Sequence, residues 1–438
     1  MVTGAAREQH GGMNLRDLRS SRSRSRRGAL ALGLAVATVL AVGAAAPVSA
    51  RDTGHAGGAP VAGGVRATLP APTGPHAIGT FSTRLVDRSR HDPWVTSVPY
   101  RELMVNVWYP ARATGGHGVA PYMAKGAAAR WNAAAPHGIP KGSVDWAGMR
   151  THAREKALLD KGAAHGGKLP VLVYSAGAGD PRTWGTALVE ELASRGYVVV
   201  TVDHTYESPG VQFPDGSVKD NKPLLDALAQ TPQEKLPQLM KKVLDARVAD
   251  DKFVLDRLGS LPRGLGEAVD HKRVGMVGHS AGGMAAAETM YEDKRVKAGV
   301  DLDGTLEHNS EPKGTNLTPV ARHGLDQRPF LLMGRDGSDH TSEPSWGAFW
   351  KHSPGWKRDL NLRGSKHQTY TDLAAVLPQA GVGRDVIEAN IGTVDPARAT
   401  SAQRAYVVSF FDRWLGGRDD HLLDGPSDRF PEVRFVRP

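Results

Sequence analysis

A mostly parallel β-sheet flanked by helices is the fold class that this sequence predicts. Three observations point to it: short uncharged β-branched runs, amphipathic helical stretches alternating with them, and a sharp Gly-rich turn that joins one such run directly to an Ala-rich helix. Residues 103–109 read as a strand ended by Pro110, and 169–174 as a short apolar strand followed by a Gly-rich turn. A helix is expected over 183–194, closed by Gly196, and 197–202 is the β-branched run typical of a buried parallel strand. Leu236, Leu239, Met240, Val243, Leu244 and Val248 recur at helical spacing across 236–258. Strands follow at 273–277, 296–302, 329–333 and 358–362. A last amphipathic helix over 397–415 carries Tyr406, Val407, Phe410, Phe411 and Trp414. Two segments stand outside the alternation. Residues 111–168 form a Gly/Ala-rich insertion with one helix expected near 122–135, and 207–232 are polar and turn-rich. Insertions of this length either wall a working face, as lids or channel sides, or are plain surface excursions.

The chain has 438 residues, 40% hydrophobic and 23% charged, a globular balance that excludes a disordered chain. Its net charge of +9 is local: residues 1–50 carry seven arginines against Glu8 and Asp17, which leaves +4 for the remainder. That remainder shows no basic cluster of the kind a nucleic-acid partner requires. There are no cysteines, so disulfides, thiolate nucleophiles and cysteine-bound zinc are all excluded. Basic residues 16–27, the uncharged run 29–46 and Val48-Ser49-Ala50 have the order of a cleavable export signal. Ser25-Arg26-Arg27-Gly28-Ala29-Leu30 adds a twin-arginine-like pattern. The expected organisation is a signal peptide over 1–50, a flexible Gly/Ala/Pro-rich segment over 51–83 and one catalytic domain over 84–438. The run 29–46 is near the minimum membrane span, so a retained anchor is the rival reading, but it is dominated by Ala and broken by Gly33 and Gly43, and export without a stable span after processing is expected.

The chemistry concentrates in Val277-Gly278-His279-Ser280-Ala281-Gly282-Gly283. Gly-x-Ser-x-Gly between a strand and a helix is the nucleophile elbow of the α/β-hydrolase fold. Gly278 and Gly282 are small because strand and helix pass close together there, and His279 and Ser280 occupy the turn. The helix start beneath Ser280 offers free N–H groups to developing negative charge, with Ala281 N–H as one oxyanion donor. A serine hydroxyl needs a histidine to take its proton and a carboxylate to orient that histidine. In chain order both lie beyond the serine. His308, His323, His340, His352, His367 and His421 are available, and His367 is preferred because 363–366 form a loop leaving the last parallel strand. For the acid, Asp303 follows one strand and Asp336 and Asp339 follow the next, and the general fold favours Asp336 or Asp339. Asp301 is expected to shape a turn. The second oxyanion donor is expected from the loop after 169–174, where Gly177-Ala178-Gly179 lets the backbone bend. No metal motif or dinucleotide fingerprint is present, so no metal or cofactor is expected.

Several stretches resemble the platelet-activating-factor acetylhydrolase family, including its bacterial lipase-like members, over residues 98–415. They are Val105-Asn106-Val107-Trp108-Tyr109-Pro110, the loop 173–179, Val202-Asp203-His204-Thr205-Tyr206-Glu207, Gly278-His279-Ser280-Ala281-Gly282-Gly283, Leu302-Asp303-Gly304 and the run 364–372 with its Gly-Ser-x-His-Gln pattern. The resemblance implies Ser280, Asp303 and His367 as the triad and Ala178 as the second oxyanion donor. Where the family often has His-Gly before that donor, this chain has Ala176-Gly177. It also implies hydrolysis of short-acyl esters, including the sn-2 acetyl group of phospholipids, with a small-molecule or lipid ester as partner and transient contact with a lipid surface. A general lipase, carboxylesterase or polyester hydrolase with the same triad is the nearest alternative. A non-catalytic, hydrolase-like binding protein is the alternative from another class.

Overall fold

Runs of valine and leucine can be buried on both faces only if helices cover both sides of a sheet, and that is how this chain folds. The computed structural model describes residues 63–112, 114–163, 167–308 and 312–437. The expected signal peptide and the first part of the expected linker lie outside these residues. Among the described residues no helix is long and apolar enough to cross a membrane.

Fourteen strands are present among the described residues: β1 (Ala77–Asp87), β2 (Arg101–Arg112), β3 (Val119–Pro121), β4 (Arg150–Glu155), β5 (Leu158–Leu159), β6 (Leu169–Ser175), β7 (Val198–Asp203), β8 (Val211–Gln212), β9 (Val218–Lys219), β10 (Val269–His279), β11 (Val296–Leu302), β12 (Phe330–Arg335), β13 (Lys357–Leu362) and β14 (Val433–Phe435). Twelve form one sheet in the order β14-β13-β12-β11-β10-β6-β7-β2-β1-β4-β3, with β5 paired to β2, while β8 and β9 make a separate hairpin. The six strands from β13 to β7 are parallel. Antiparallel β2 and β14 flank them. Side chains alternate between two cores. Val171, Val173, Val198 and Val200 face one with Met290 and Phe253, while Leu172, Tyr174 and Val199 face the other with Tyr406, Phe410 and Phe411.

Four expectations change in physically informative ways. The segment expected to be flexible up to residue 83 already contains most of β1, which pairs along its whole length with β2. Its Gly79 lies flat against the Tyr109 ring, where a Cβ would come within 2.5 Å, so this glycine serves close approach rather than flexibility. Ala67 and Leu69 are buried beside Trp131 and Trp146, so the compact fold begins well before residue 84. Pro110 does not end its strand. The last β2–β7 pair is Trp108–Val199, so the proline ring lies past the end of β7, where its carbonyl accepts the Asp160 N–H (2.9 Å) beside β5. The insertion 111–168 widens the sheet with β3, β4 and β5 and carries a helix, Lys125–Ala134. The last helix stops at Phe411, and Asp412–Gly416 continues as a single π-type turn.

The sheet edge that ends β6, β7 and β10 is stiffened by a buried polar cluster. Arg101, at the start of β2, donates to Asp92 (2.9 Å), to both oxygens of Asp250 (3.1 and 2.7 Å) and to the carbonyl of Thr205 (2.8 Å). His204 bridges Asp250 (3.1 Å) and Ser175 at the end of β6 (2.9 Å). Burial opposes the charge on Asp250, but Arg101 and His204 outweigh it and hold the carboxyl far below its usual range.

Its chain neighbour Asp251 has the opposite fate. It is fully buried, neither carboxyl oxygen has a hydrogen-bond partner among the described residues, and burial, reinforced by the Asp250 charge, pushes it up to about 7. A carboxyl raised in the folded state contributes stability that is complete below its unfolded value near 4 and is lost as pH rises through 7. Urea unfolding at pH 5 and pH 8 should therefore show a smaller drop in stability for Asp251→Asn than for the parent chain. Equal drops would remove this account of Asp251.

Candidate active site

The turn after β10 is tight because backbone meets backbone. A Cβ on Gly278 would lie 2.2 Å from the Gly282 carbonyl carbon, and one on Gly282 would lie 2.0 Å from the Ser175 oxygen. Between them Ser280 takes φ 56°, ψ −123°, a strained conformation for a residue with a side chain. The helix Ala281–Glu292 starts immediately, with Gly283 and Met284 N–H both bonded to the Ser280 carbonyl (2.9 and 3.1 Å).

The Ser280 hydroxyl lies 2.9 Å from His367 Nε2, and His367 Nδ1–H points at Asp303 Oδ2 at 2.5 Å. His367 opens a short 3₁₀ turn, His367–Tyr370, after the loop that leaves β13. Asp303 follows β11 with φ 59° and is tied to β12 by its N–H on the Met333 carbonyl (2.9 Å). Burial works against its charge, but the His367 and Arg335 contacts outweigh it and hold the carboxyl below its ordinary value. The other expected acids are engaged elsewhere. Asp336 Oδ2 accepts the Gly364 N–H (3.0 Å), while Asp339 closes its own turn through Thr341 and Ser342 and pairs with Arg434 (2.8 Å). Asp301 shapes a turn as expected: Oδ1 accepts the Gly304 N–H (2.8 Å), and burial lifts the carboxyl well above its usual range.

Ala178, Ser280 and Ala281 are half-buried, whereas Gly177, Gly179, His279 and Gly282 around them are buried. The loop bearing Ala178 is gripped from two sides. Arg247 donates to the carbonyls of Ala176 (2.6 Å) and Gly177 (3.1 Å) and is itself held by Glu207 (2.6 Å). Farther along, Arg182 is tied to Asp203 through its backbone N–H (2.6 Å) and guanidinium, and to Asn106 (2.7 Å). The insertion reaches this region too. His137 stacks on Trp184 and approaches Asp180 (3.5 Å), whose other oxygen faces the His279 ring (3.8 Å). Against the push of burial, the two imidazoles bring Asp180 down to about 2. His279 Nε2 contacts the His367 carbonyl at 2.9 Å and helps seat the loop.

Sequence reasoning brought forward Ser280, His367, Asp303, Ala178 and Ala281, and the fold gathers all five at one sheet edge. It missed Arg335, Arg247 and Asp180. Arg247 sits mid-helix among other charged residues with no motif around it, while Glu207 did close one of the resembling stretches. Among the described residues no cluster of His, Asp and Glu could hold a metal ion.

A parallel sheet with a strained serine after its central strand, and a histidine and an aspartate on neighbouring loops, defines an α/β-hydrolase. Residues 143–308 match the family model described as platelet-activating factor acetylhydrolase, isoform II. The chain is 29% identical over 387 residues to a probable 1-alkyl-2-acetylglycerophosphocholine esterase from Arthroderma benhamiae, covering 84% of this chain and 93% of that one. It is 27% identical over 298 residues to the platelet-activating factor acetylhydrolase of Bos taurus, covering 60% of this chain and 64% of that one. Among solved structures it is similar to a ferulic acid esterase from Streptomyces cinnamoneus, at 36% identity and a TM-score of 0.70, over 85% of this chain and all of that chain. The chain is similar to the platelet-activating factor acetylhydrolases and is a carboxylic-ester hydrolase.

The close packing at the elbow makes a direct prediction. Gly282→Ala should lower stability by about 2 kcal/mol or more, because the clash is with backbone that cannot step aside. Thermal unfolding measured beside ester turnover tests it. A variant that melts and turns over like its parent would contradict the packing described.

Proposed function

We propose that this protein is an exported serine esterase that works through an acyl-enzyme. The observation that carries the reading is His367 bridging the Ser280 hydroxyl (2.9 Å) and Asp303 (2.5 Å). Ser280 Oγ attacks the ester carbonyl while His367 Nε2 takes its proton, and Asp303 holds the ring and stabilises the imidazolium. The carbonyl oxygen, now negative, is met by the N–H groups of Ala281 and Ala178. The tetrahedral adduct collapses, the C–O bond to the alcohol breaks, and His367 returns the proton to that alcohol. Water then attacks the acyl-serine, again giving its proton to His367. The acid departs and the hydroxyl is restored.

The favoured substrates are short-acyl esters of the 1-alkyl-2-acetylglycerophosphocholine type. The family-model match and the Arthroderma benhamiae relative, 93% of whose length is covered, support that choice. A second reading, esters of hydroxycinnamic acids, is supported by the likeness to the ferulic acid esterase. Initial rates on 2-acetyl glycerophosphocholine, methyl ferulate and a nitrophenyl acetate separate the two. In the same assays Ser280→Ala should lose fluorophosphonate labelling and about 10⁴-fold or more in kcat. Asp303→Asn should lose about 10²-fold or more, and Asp336→Asn and Asp339→Asn much less. Turnover that survives Ser280→Ala, or fails only in Asp339→Asn, would defeat this mechanism.

The basic stretch 16–27, the run 29–46 and Val48-Ser49-Ala50 support export by a twin-arginine-like signal. Protein recovered outside the producing cell should begin at Arg51 on N-terminal sequencing. Retention of Met1 on exported protein would count against cleavage there.

A further inference from the structure

The Asp303 carboxylate has a second cationic partner. Its Oδ2 accepts both His367 Nδ1–H (2.5 Å) and Arg335 Nη1–H (2.7 Å), and its Oδ1 accepts the Arg335 backbone N–H (3.0 Å). One residue thus holds the carboxylate through main chain and guanidinium together. Arg335 is the last residue of β12, and its own carbonyl is fixed by the buried Asn361 of β13 (2.5 Å). The end of β12 is also where the general fold would have supplied the acid. Here it supplies a cation directed at the acid from the neighbouring strand.

We propose that Arg335 is a positioning residue of the triad, which fixes the Asp303 carboxylate toward His367 and limits how tightly that carboxylate keeps a proton on the imidazole. The proposal rests on the Ser280–His367–Asp303 reading. Because both donors meet on one oxygen, the guanidinium lies within about 5 Å of the imidazole, close enough for like charges to disfavour the imidazolium. A carboxylate shared with the guanidinium keeps its orientation toward the ring while presenting less uncompensated charge to it. Burial opposes the charge on Arg335, but Asp303 outweighs it and raises the guanidinium further.

The other groups around His367 do not take this part. The His279 ring, 4.6 Å away, is held below its ordinary value by burial first and by His367 second. The Tyr370 phenol donates to the Gly334 carbonyl (2.8 Å) and is raised well above its usual range by burial. Asp301 is raised likewise, and Asp180 lies beyond His279. Glu343 is engaged by Lys313 (2.9 Å). Among the described residues Arg335 is the one lysine or arginine paired with Asp303.

The test is the pH profile of kcat/KM on 4-nitrophenyl acetate for the parent chain, Arg335→Met, Arg335→Gln and Arg335→Lys, with near-UV circular dichroism as the check on folding. Ser280→Ala and Asp303→Asn run alongside. Removing the charge should move the acid limb up by about half to one pH unit and lower kcat about tenfold, while Arg335→Lys keeps the limb of the parent. Where turnover is too slow, the rate of fluorophosphonate labelling of Ser280 across pH reads the same limb. A limb that stays in place in a folded Met or Gln variant, at any kcat, overturns the proposal, as does an equal shift in Arg335→Lys. A folded variant that neither turns over nor labels at any pH also overturns it, because the main-chain bond to Asp303 survives the substitution. Activity retained in Ser280→Ala or Asp303→Asn would instead remove the triad reading beneath it.

Discussion

Strand β10 and the helix Ala281–Glu292 approach each other so closely that only glycine fits at Gly278 and Gly282. That contact forces the reversal into a single residue, Ser280, and leaves its hydroxyl pointing off the carboxyl edge of the sheet. The same approach reaches sideways. Ser280 N–H bonds the Leu302 carbonyl at the end of β11 (2.9 Å), and a Cβ on Gly304 would lie 2.3 Å from the Ser280 carbonyl oxygen. The turn carrying Asp303 is therefore packed directly on the turn carrying Ser280. Hydroxyl and carboxylate are set relative to one another by backbone contacts, and His367 has only to arrive between them.

Around this backbone frame, six buried carboxyls fall into two groups. Asp250, Asp303 and Asp180 each face arginine or histidine partners and are held below their usual range. Asp251, Asp301 and Asp372 lack a comparable cation at bonding distance and are pushed up, Asp251 and Asp372 to about 7. Asp372 accepts the N–H groups of Thr186 and Ala187 at a helix start and the Tyr122 hydroxyl of the insertion (3.0 Å), so a carboxyl raised by burial still joins two segments. Burial raises every one of these groups, and the partner decides which of them remain ionised. The groups beside the site that stay ionised are those bonded to a cation or an imidazole.

The central parallel strands were legible because a strand buried on both faces reads as an apolar run whatever its surroundings. The elbow was legible because its glycines answer a local clash. The edges were not. β1 reads as polar and Gly-containing because its exposed face is solvated and Gly79 serves the Tyr109 ring on the next strand. β14 is three residues long and exists only as a partner for β13. The supports of the site were least legible. Arg247 grips the Ala178 loop from a helix 70 residues away in sequence, and no local pattern records a contact of that range.

The choice among Asp303, Asp336 and Asp339 shows where local reading ends. All three follow adjacent parallel strands at the same sheet edge, and from composition or periodicity they are equivalent. What separates them is how each backbone leaves its strand. Asp303 turns at once into the left-handed region, which aspartate tolerates better than most residues, and the glycine after it fits against Ser280 where any side chain would collide. That single-residue turn aims its carboxylate at the imidazole. After β12 the chain instead makes a wider turn, in which Asp339 is spent on Thr341 and Ser342 and Asp336 on the loop that carries His367. With the acid supplied from β11, the end of β12 is free to present an arginine. The strand end from which the general fold would draw its negative charge thereby carries the counterweight to it.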